Sequence, residues 1–185
     1  MVKTILKQLL SEYGTELYQF CYRLALNKAD ADDLYQDTFL KAMQLGHKLV
    51  RSDNGTDWQS IKDANRKNRN FLMGIAANLW KNQWRKKKIR QSLSIDAYTP
   101  DELPLKSNED MEANYEQQEL FQELQRSIDA LPEKLKLVIC MYYTADMKID
   151  EIAKNLHIPK GTVNSRLHLA KKQLRKRLEA RGYEL

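Results

Sequence analysis

The stretch that most narrows what this chain can become is 149–178, IDEIAKNLHIPKGTVNSRLHLAKKQLRKRL. In its first part Ile149, Ile152, Ala153 and Leu156 recur at helical spacing. Asp150 and Glu151 fall in the opening turn, where the helix dipole favours acids. His157-Ile158-Pro159 breaks the run, and Pro159 suits the first position of a new helix because its missing N–H has no intrahelical partner there. Beyond it Val163, Leu167, Ala170, Leu174 and Leu178 mark one apolar stripe. The opposite arc carries Asn164, Ser165, His168 and Lys172, flanked by Thr162, Arg166 and Lys171. A short helix, a tight turn and a polar, basic second helix compose a helix-turn-helix, whose second helix can enter a DNA major groove. The competing reading is an ordinary helical hairpin with a solvated basic face.

The charge is unevenly spread in a way that supports the first reading. The chain has 185 residues and a formal charge of +6, enough length for one ordinary domain or two small ones. No acid occurs between Ala64 and Ile95, where Arg66, Lys67, Arg69, Lys81, Arg85, Lys86, Lys87, Lys88 and Arg90 accumulate. Residues 96–123 are then acidic, with Lys106 the lone base, and the chain turns basic again from Arg166. Two basic segments around an acidic one predict two nucleic-acid contacts.

Read in order, residues 5–26 are amphipathic through Ile5, Leu6, Leu9, Leu10, Tyr13, Leu17, Phe20, Cys21 and Leu24, with Gly14 weakening the helix by about 1 kcal/mol relative to Ala. Residues 30–45 form the next helix. Ala31, Leu34, Tyr35, Thr38, Phe39 and Ala42 turn inward, while Asp32, Asp33, Gln36, Asp37 and Lys41 face out. That acidic face is either simply solvated or a docking surface for a basic protein. Residues 46–70 read as a long polar loop whose single aromatic, Trp58, either stacks on an unpaired base or pins the loop to the core. Residues 70–88 form a basic helix. Leu72, Ile75, Ala76 and Leu79 make one stripe; Met73, Ala77, Trp80 and Trp84 make a second. Aromatics interleaved with Lys81, Arg85 and Lys88 suit single-stranded nucleic acid, and core packing is the alternative for both Trp80 and Trp84.

Residues 91–114 read as a flexible acidic linker punctuated by Pro100 and Pro104. Helices resume through Leu120, Phe121, Leu124 and Ile128, and again after Pro132 through Leu135, Val138, Ile139 and Tyr142. No segment has the period-two pattern of a strand. The expected fold is all-α: two small helical domains, 1–90 and 115–185, joined by the linker.

Catalytic signatures are missing. His47, His157 and His168 lie apart from one another and from Cys21 and Cys140, which read as buried thiols. There is no Gly-rich phosphate loop, nucleophile elbow or H-E-x-x-H. No enzyme activity, cofactor or metal is expected. No run approaches the roughly 20 apolar residues of a membrane span, so the chain is expected in the cytoplasm with no membrane insertion.

Three runs resemble the extracytoplasmic-function (ECF) sigma factors, small two-domain specificity subunits of bacterial RNA polymerase. Residues 31–39, ADDLYQDTF, look like the family's A-x-D-L-x-Q-[DE]-[TS]-F run in sigma region two. Residues 71–79, FLMGIAANL, with the basic run 85–88, look like its W-L-x-x-I-A-x-N run. Ala130-Leu131-Pro132-Glu133, Glu151-Ile152-Ala153 and 158–167, IPKGTVNSRL, look like sigma region four.

The resemblance implies a promoter-specificity factor rather than the alternative, a stand-alone helix-turn-helix regulator. Asp32, Asp33, Gln36, Asp37 and Lys41 would dock on the beta-prime coiled coil of core polymerase, with the beta flap as a further contact. Trp58, Asn78, Trp80, Lys81 and the run Arg85, Lys86, Lys87 and Lys88 would recognise and melt the minus-ten element. Lys160, Thr162, Asn164, Ser165, Arg166, His168, Lys171 and Lys172 would serve the minus-thirty-five element, with Lys160, Asn164 and Ser165 nearest the base edges. Promoter DNA, both duplex and melted, and an anti-sigma factor are the other implied partners. The chain departs from the family pattern at Phe71 (usually Trp), Asn82 (usually Asp) and Leu169 (often Arg), and in the length of the loop before Phe71.

Overall fold

A computed structural model describes residues 2–25, 27–49, 58–91 and 114–183. The described residues form seven α-helices and one short 3₁₀ turn, without a strand. The acidic linker and the segment 50–57 lie outside them.

The first unit is built from three helices. α1 (Val2–Leu24) buries Leu6, Leu9, Leu17, Phe20, Cys21 and Leu24 along one face, while Leu10, expected on that face, is exposed. Gly14 lies buried in that helix, where an added Cβ would stand 3.1 Å from both the Tyr35 hydroxyl and Leu10 Cδ1. Its helix cost is therefore offset by close approach of α2 (Lys28–Gln44). Asn27 supplies the break between these helices as the N-cap of α2, its Oδ1 accepting the Asp30 N–H at 2.8 Å. Inside α2, Ala31, Leu34, Thr38 and Ala42 are buried, and the Thr38 hydroxyl donates to the Leu34 carbonyl at 2.7 Å. The 3₁₀ turn Gly46–Lys48 follows.

α3 runs from Trp58 to Gln91, beginning twelve residues before the helix that the apolar pattern predicts. Most of the expected 46–70 loop is thus helix. Residues 58–70 contain neither Gly nor Pro, but little apolar side chain marks a face. The buried face is polar: Asn68, Arg69 and Asn70 are buried together. Arg69 Nε donates to Glu16 of α1 at 2.8 Å, and its Nη1 to Asn70 Oδ1 at 3.1 Å. Polar partners replace the apolar stripe, so periodicity could not report this part of the helix.

The second unit holds α4 (Asn114–Asp129), α5 (Glu133–Tyr143), α6 (Ile149–Leu156) and α7 (Lys160–Glu179). Lys136 of α5 is buried, and its ammonium is held 2.8 Å from Asp129. α6 starts with Glu151 accepting the Lys148 N–H at 2.8 Å. It ends at His157 in the left-handed region (φ 54°, ψ 47°), whose N–H bonds to the Ala153 carbonyl. Pro159 is the N-cap of α7 rather than its first helical residue, at φ −60° and ψ 147°. Val163, Leu167, Ala170, Leu174 and Leu178 all point into the core, as the stripe requires.

The two units pack on each other through α1, α3, α5 and α6. Arg66 of α3 forks onto Glu151 of α6, with Nε–Oε1 at 3.0 Å and Nη2–Oε2 at 3.2 Å. Arg69 Nη2 donates to the Ala145 carbonyl at 2.6 Å. Arg23 bonds Gln125 and lies 4.8 Å from the Phe121 ring centroid. Gly74 lets α6 approach α3, since a Cβ there would run into the Asn155 carboxamide.

Burial raises the Glu151 carboxyl, but Arg66 and the Lys148 N–H lower it further, leaving it below its ordinary value of 4.5. A carboxylate with a depressed folded value adds stability that is complete above the ordinary carboxylate range and lost as pH falls through the folded value. Acidification below about pH 4 is therefore expected to loosen the α3–α6 contact. A fluorophore pair with one dye on each unit should report the separation, and Glu151→Gln should loosen the contact at neutral pH and remove the acid step.

Candidate nucleic-acid interface

Three surfaces carry the candidate residues. The first is the outer face of α2. A chain of aromatic contacts from Tyr22 through Tyr18 and Tyr35 to Phe39 fixes α2 against α1 and so sets which side chains look outward. Asp33, Gln36, Asp37 and Lys41 are exposed. Asp32 is half-buried and accepts the Tyr18 hydroxyl at 2.8 Å, a bond that, with burial, pushes the Tyr18 hydroxyl above its ordinary value. Lys41 reaches Gln44 at 3.1 Å. Leu40 and Met43, 54% and 47% exposed, extend this face with apolar surface that the charge pattern alone does not reveal. Their outward register on α2 is the signal that could have found them.

The second surface is the C-terminal half of α3. Asn78 is exposed, with its amide N–H folded back onto the Gly74 carbonyl at 2.9 Å. Trp80 takes the core alternative. It is 4% exposed, stacked on Trp84 at 5.6 Å and 29°, with the Lys136 ammonium 6.0 Å from its ring centroid. In this arrangement its face is covered and cannot stack on a base. Lys81 is half-buried, whereas Arg85, Lys86 and Lys87 are exposed. Lys87 pairs with Asp30 at 2.5 Å, closing one side of a shallow depression lined also by Ala25, Gln83 and the two tryptophans. Trp58 begins α3 and Lys88 lies near its end, but their side chains fall outside the described residues.

The third surface is α7. Asn164, Ser165, His168, Lys171 and Lys172 are exposed, and Thr162 and Arg166 are half-buried at the edges of the arc. Ser165 donates to the Gly161 carbonyl at 2.8 Å, which leaves its oxygen free to accept. Lys160 is paired with Asp150 at 2.7 Å, both side chains more than half exposed. The Lys171 ammonium lies over the Tyr142 and Tyr143 rings, and its hydrogen bond with Tyr143 holds it above the ordinary lysine value. All three surfaces are presented on separate helices; the Lys87–Asp30 pair joins the basic end of α3 to the start of α2.

Nothing in the thiols suggests a nucleophile. Burial pushes Cys21 up to about 12 and Cys140 up to about 11, so both are neutral at physiological pH. Among the described residues no group of three His, Cys, Asp or Glu side chains could hold a metal ion. No described helix is long and apolar enough to cross a membrane.

Comparison with known proteins matches residues 9–54 to Sigma-70 region 2 and residues 121–174 to Sigma-70, region 4. The ECF RNA polymerase sigma factor SigW of Bacillus subtilis is 32% identical over 174 residues, spanning 90% of this chain and 84% of the relative. Two solved structures share the fold at 19% identity. The sigma factor RpoE of Bartonella quintana, solved with the anti-sigma factor NepR, gives a TM-score of 0.69 over 94% of this chain and 96% of that one. CnrH, solved with the cytosolic domain of CnrY, gives 0.61 over 96% and 90%.

The burial of Trp80 and the exposure of Lys86 lead to very unequal stability effects. Trp80→Ala should cost about 3–5 kcal/mol, while Lys86→Ala should stay within about 0.5 kcal/mol. Denaturant unfolding of the two variants measures the difference directly.

Proposed function

The chain belongs to the ECF sigma factors of bacterial RNA polymerase, and from that membership we infer that it recruits core polymerase to promoters through the three surfaces described above. It is a transcription initiation factor; the polymerase carries out the chemistry, in the cytoplasm. The observation that carries the assignment of surfaces is the simultaneous exposure of the acidic α2 face and the polar arc of α7 on one chain of this family.

The division of roles follows from the side chains. Asp33, Gln36 and Asp37, with Asp32 at their edge and Lys41 beyond, form an acidic patch on a basic protein, suited to a basic helical partner such as the beta-prime coiled coil. Leu40 and Met43 add apolar contact that charges alone do not provide. Residues 1–90 would act at the minus-ten element: Asn78 presents a carboxamide to bases, and Arg85, Lys86 and Lys87 supply charge for the backbone of the opened strands. Residues 115–185 would read the minus-thirty-five duplex, with the N-terminal turns of α7 in the major groove, Asn164 and Ser165 toward base edges and Lys171 and Lys172 toward phosphates. A self-sufficient regulator would leave the α2 face and the basic end of α3 without a role.

The reading also requires a movement. The two elements are centred some 25 base pairs apart by their names, roughly 85 Å along the duplex at 3.4 Å per pair. The two units touch here through Arg66–Glu151 and Arg69–Ala145. A connection the length of residues 92–113 spans at most about 75 Å when extended, enough with the breadth of the units themselves to bridge that distance once they part. The promoter-bound form is therefore the separated one, and the packed form is the one a protein regulator of the anti-sigma type could hold.

Three measurements test this. Purified protein should bind core polymerase, and Asp33→Lys with Asp37→Lys should weaken that binding at least tenfold; wild-type protein that fails to bind core polymerase would remove the assignment. In the holoenzyme, neutralising Lys171 and Lys172 should weaken all promoters alike and flatten the salt dependence by about 0.9 log unit for each phosphate no longer neutralised. Asn164→Ala should instead change which minus-thirty-five sequence is preferred.

A further inference from the structure

Leu169 is the one large apolar side chain exposed on α7, 45% accessible in the middle of an otherwise polar arc. Helical spacing puts it one turn beyond Ser165 and one turn before Lys172, with Thr162 two turns behind it on the same face. The buried stripe of Val163, Leu167, Ala170 and Leu174 leaves from the opposite side, so Leu169 is not a core residue that slipped outward. Its neighbours on the arc are Ser165, Lys172 and Lys176, all exposed, with half-buried Arg166 and Gln173 on its other side. A surface so polar and cationic fits a polyanion better than an apolar protein groove.

Within a major groove only one base-edge group rewards an isolated aliphatic side chain, the C5 methyl of thymine. Leucine offers no hydrogen bond, so it cannot satisfy the purine N7 or the O6 of guanine; placed against either, it would leave that acceptor dehydrated and unpartnered. We propose that Leu169 is a specificity-determining residue that packs on the methyl group of one thymine in the minus-thirty-five element, making the readout at that position apolar. This rests on the reading of α7 as the minus-thirty-five helix.

The test uses the holoenzyme, formed from the full chain and core polymerase. Selection from duplexes randomised across the minus-thirty-five element should return a thymine at one position with the wild-type chain. Replacing that thymine by deoxyuridine removes only the methyl and should weaken binding about fourfold, the value of one buried methyl group. Leu169→Ala should bind the thymine and deoxyuridine promoters equally. Leu169→Arg should exchange the thymine preference for guanine at the same position, through its paired donors to N7 and O6. Since the side chain is exposed, both variants should melt with the wild type, which a thermal scan checks. A selected element without thymine overturns the proposal, as does a deoxyuridine effect that is missing or that survives Leu169→Ala. If scrambling the whole element leaves wild-type binding unchanged, α7 does not read it and the broader assignment falls as well. If scrambling weakens binding while no single methyl matters, only the role of Leu169 is overturned.

Discussion

Arg69 stands where three parts of the molecule meet, 8% exposed and carrying a charge that never leaves it. A guanidinium out of water must have its donors answered. Here they are answered by the Glu16 carboxylate from α1, the Asn70 carboxamide within α3 and the Ala145 carbonyl from the turn between α5 and α6. The first partner holds the N-terminal unit together, and the third belongs to the other unit. Removing one partner of a buried charge costs far more than the pair itself adds, because the charge left behind is unsolvated. The path of α3, its seating against α1 and the docking of the second unit therefore share one requirement.

That requirement also explains what can and cannot be read from the sequence. The stretch 149–178 is legible almost to the residue, because α6 and α7 bury aliphatic side chains at regular spacing and the turn between them is written in His157 and Pro159. The N-terminal third of α3 is not, because its inward face is Asn68, Arg69 and Asn70, which look like a loop to any count of apolar residues. Docking of the units is out of reach for a related reason. Arg66 and Glu151 are far apart in the chain, and a backbone carbonyl such as that of Ala145 leaves no trace in a sequence. Among the candidate surface residues, Asp33 and Asp37 are legible because acids on a basic chain stand out. Leu40 and Met43 show only in their outward register on α2, which a charge pattern passes over.

On the proposed reading, no one surface needs high affinity. The acidic face of α2 steers toward a basic partner over about a Debye length, and the α7 arc gains from every counterion it displaces. Once polymerase holds the first, the second meets its duplex at an effective concentration set by the linker rather than by the amount of protein present. The stacked Trp80 and Trp84 fit that reading: Trp80 is buried and Trp84 partly so, and the exposed arginine and lysines beyond them would meet the strand.

The two cysteines are distributed one to each unit, Cys21 in α1 and Cys140 in α5, and burial keeps both as unreactive thiols. Thiol-directed alkylating reagents should thus find neither cysteine while both halves stay closed. The chain carries a pair of native reporters: Cys21 becomes reactive only when the first unit opens, whereas Cys140 lies close enough to Arg23 of α1 to feel its charge. Parting the units without unfolding them would leave Cys21 silent inside the first unit, so labelling kinetics can distinguish a hinge from a melt without adding any foreign probe.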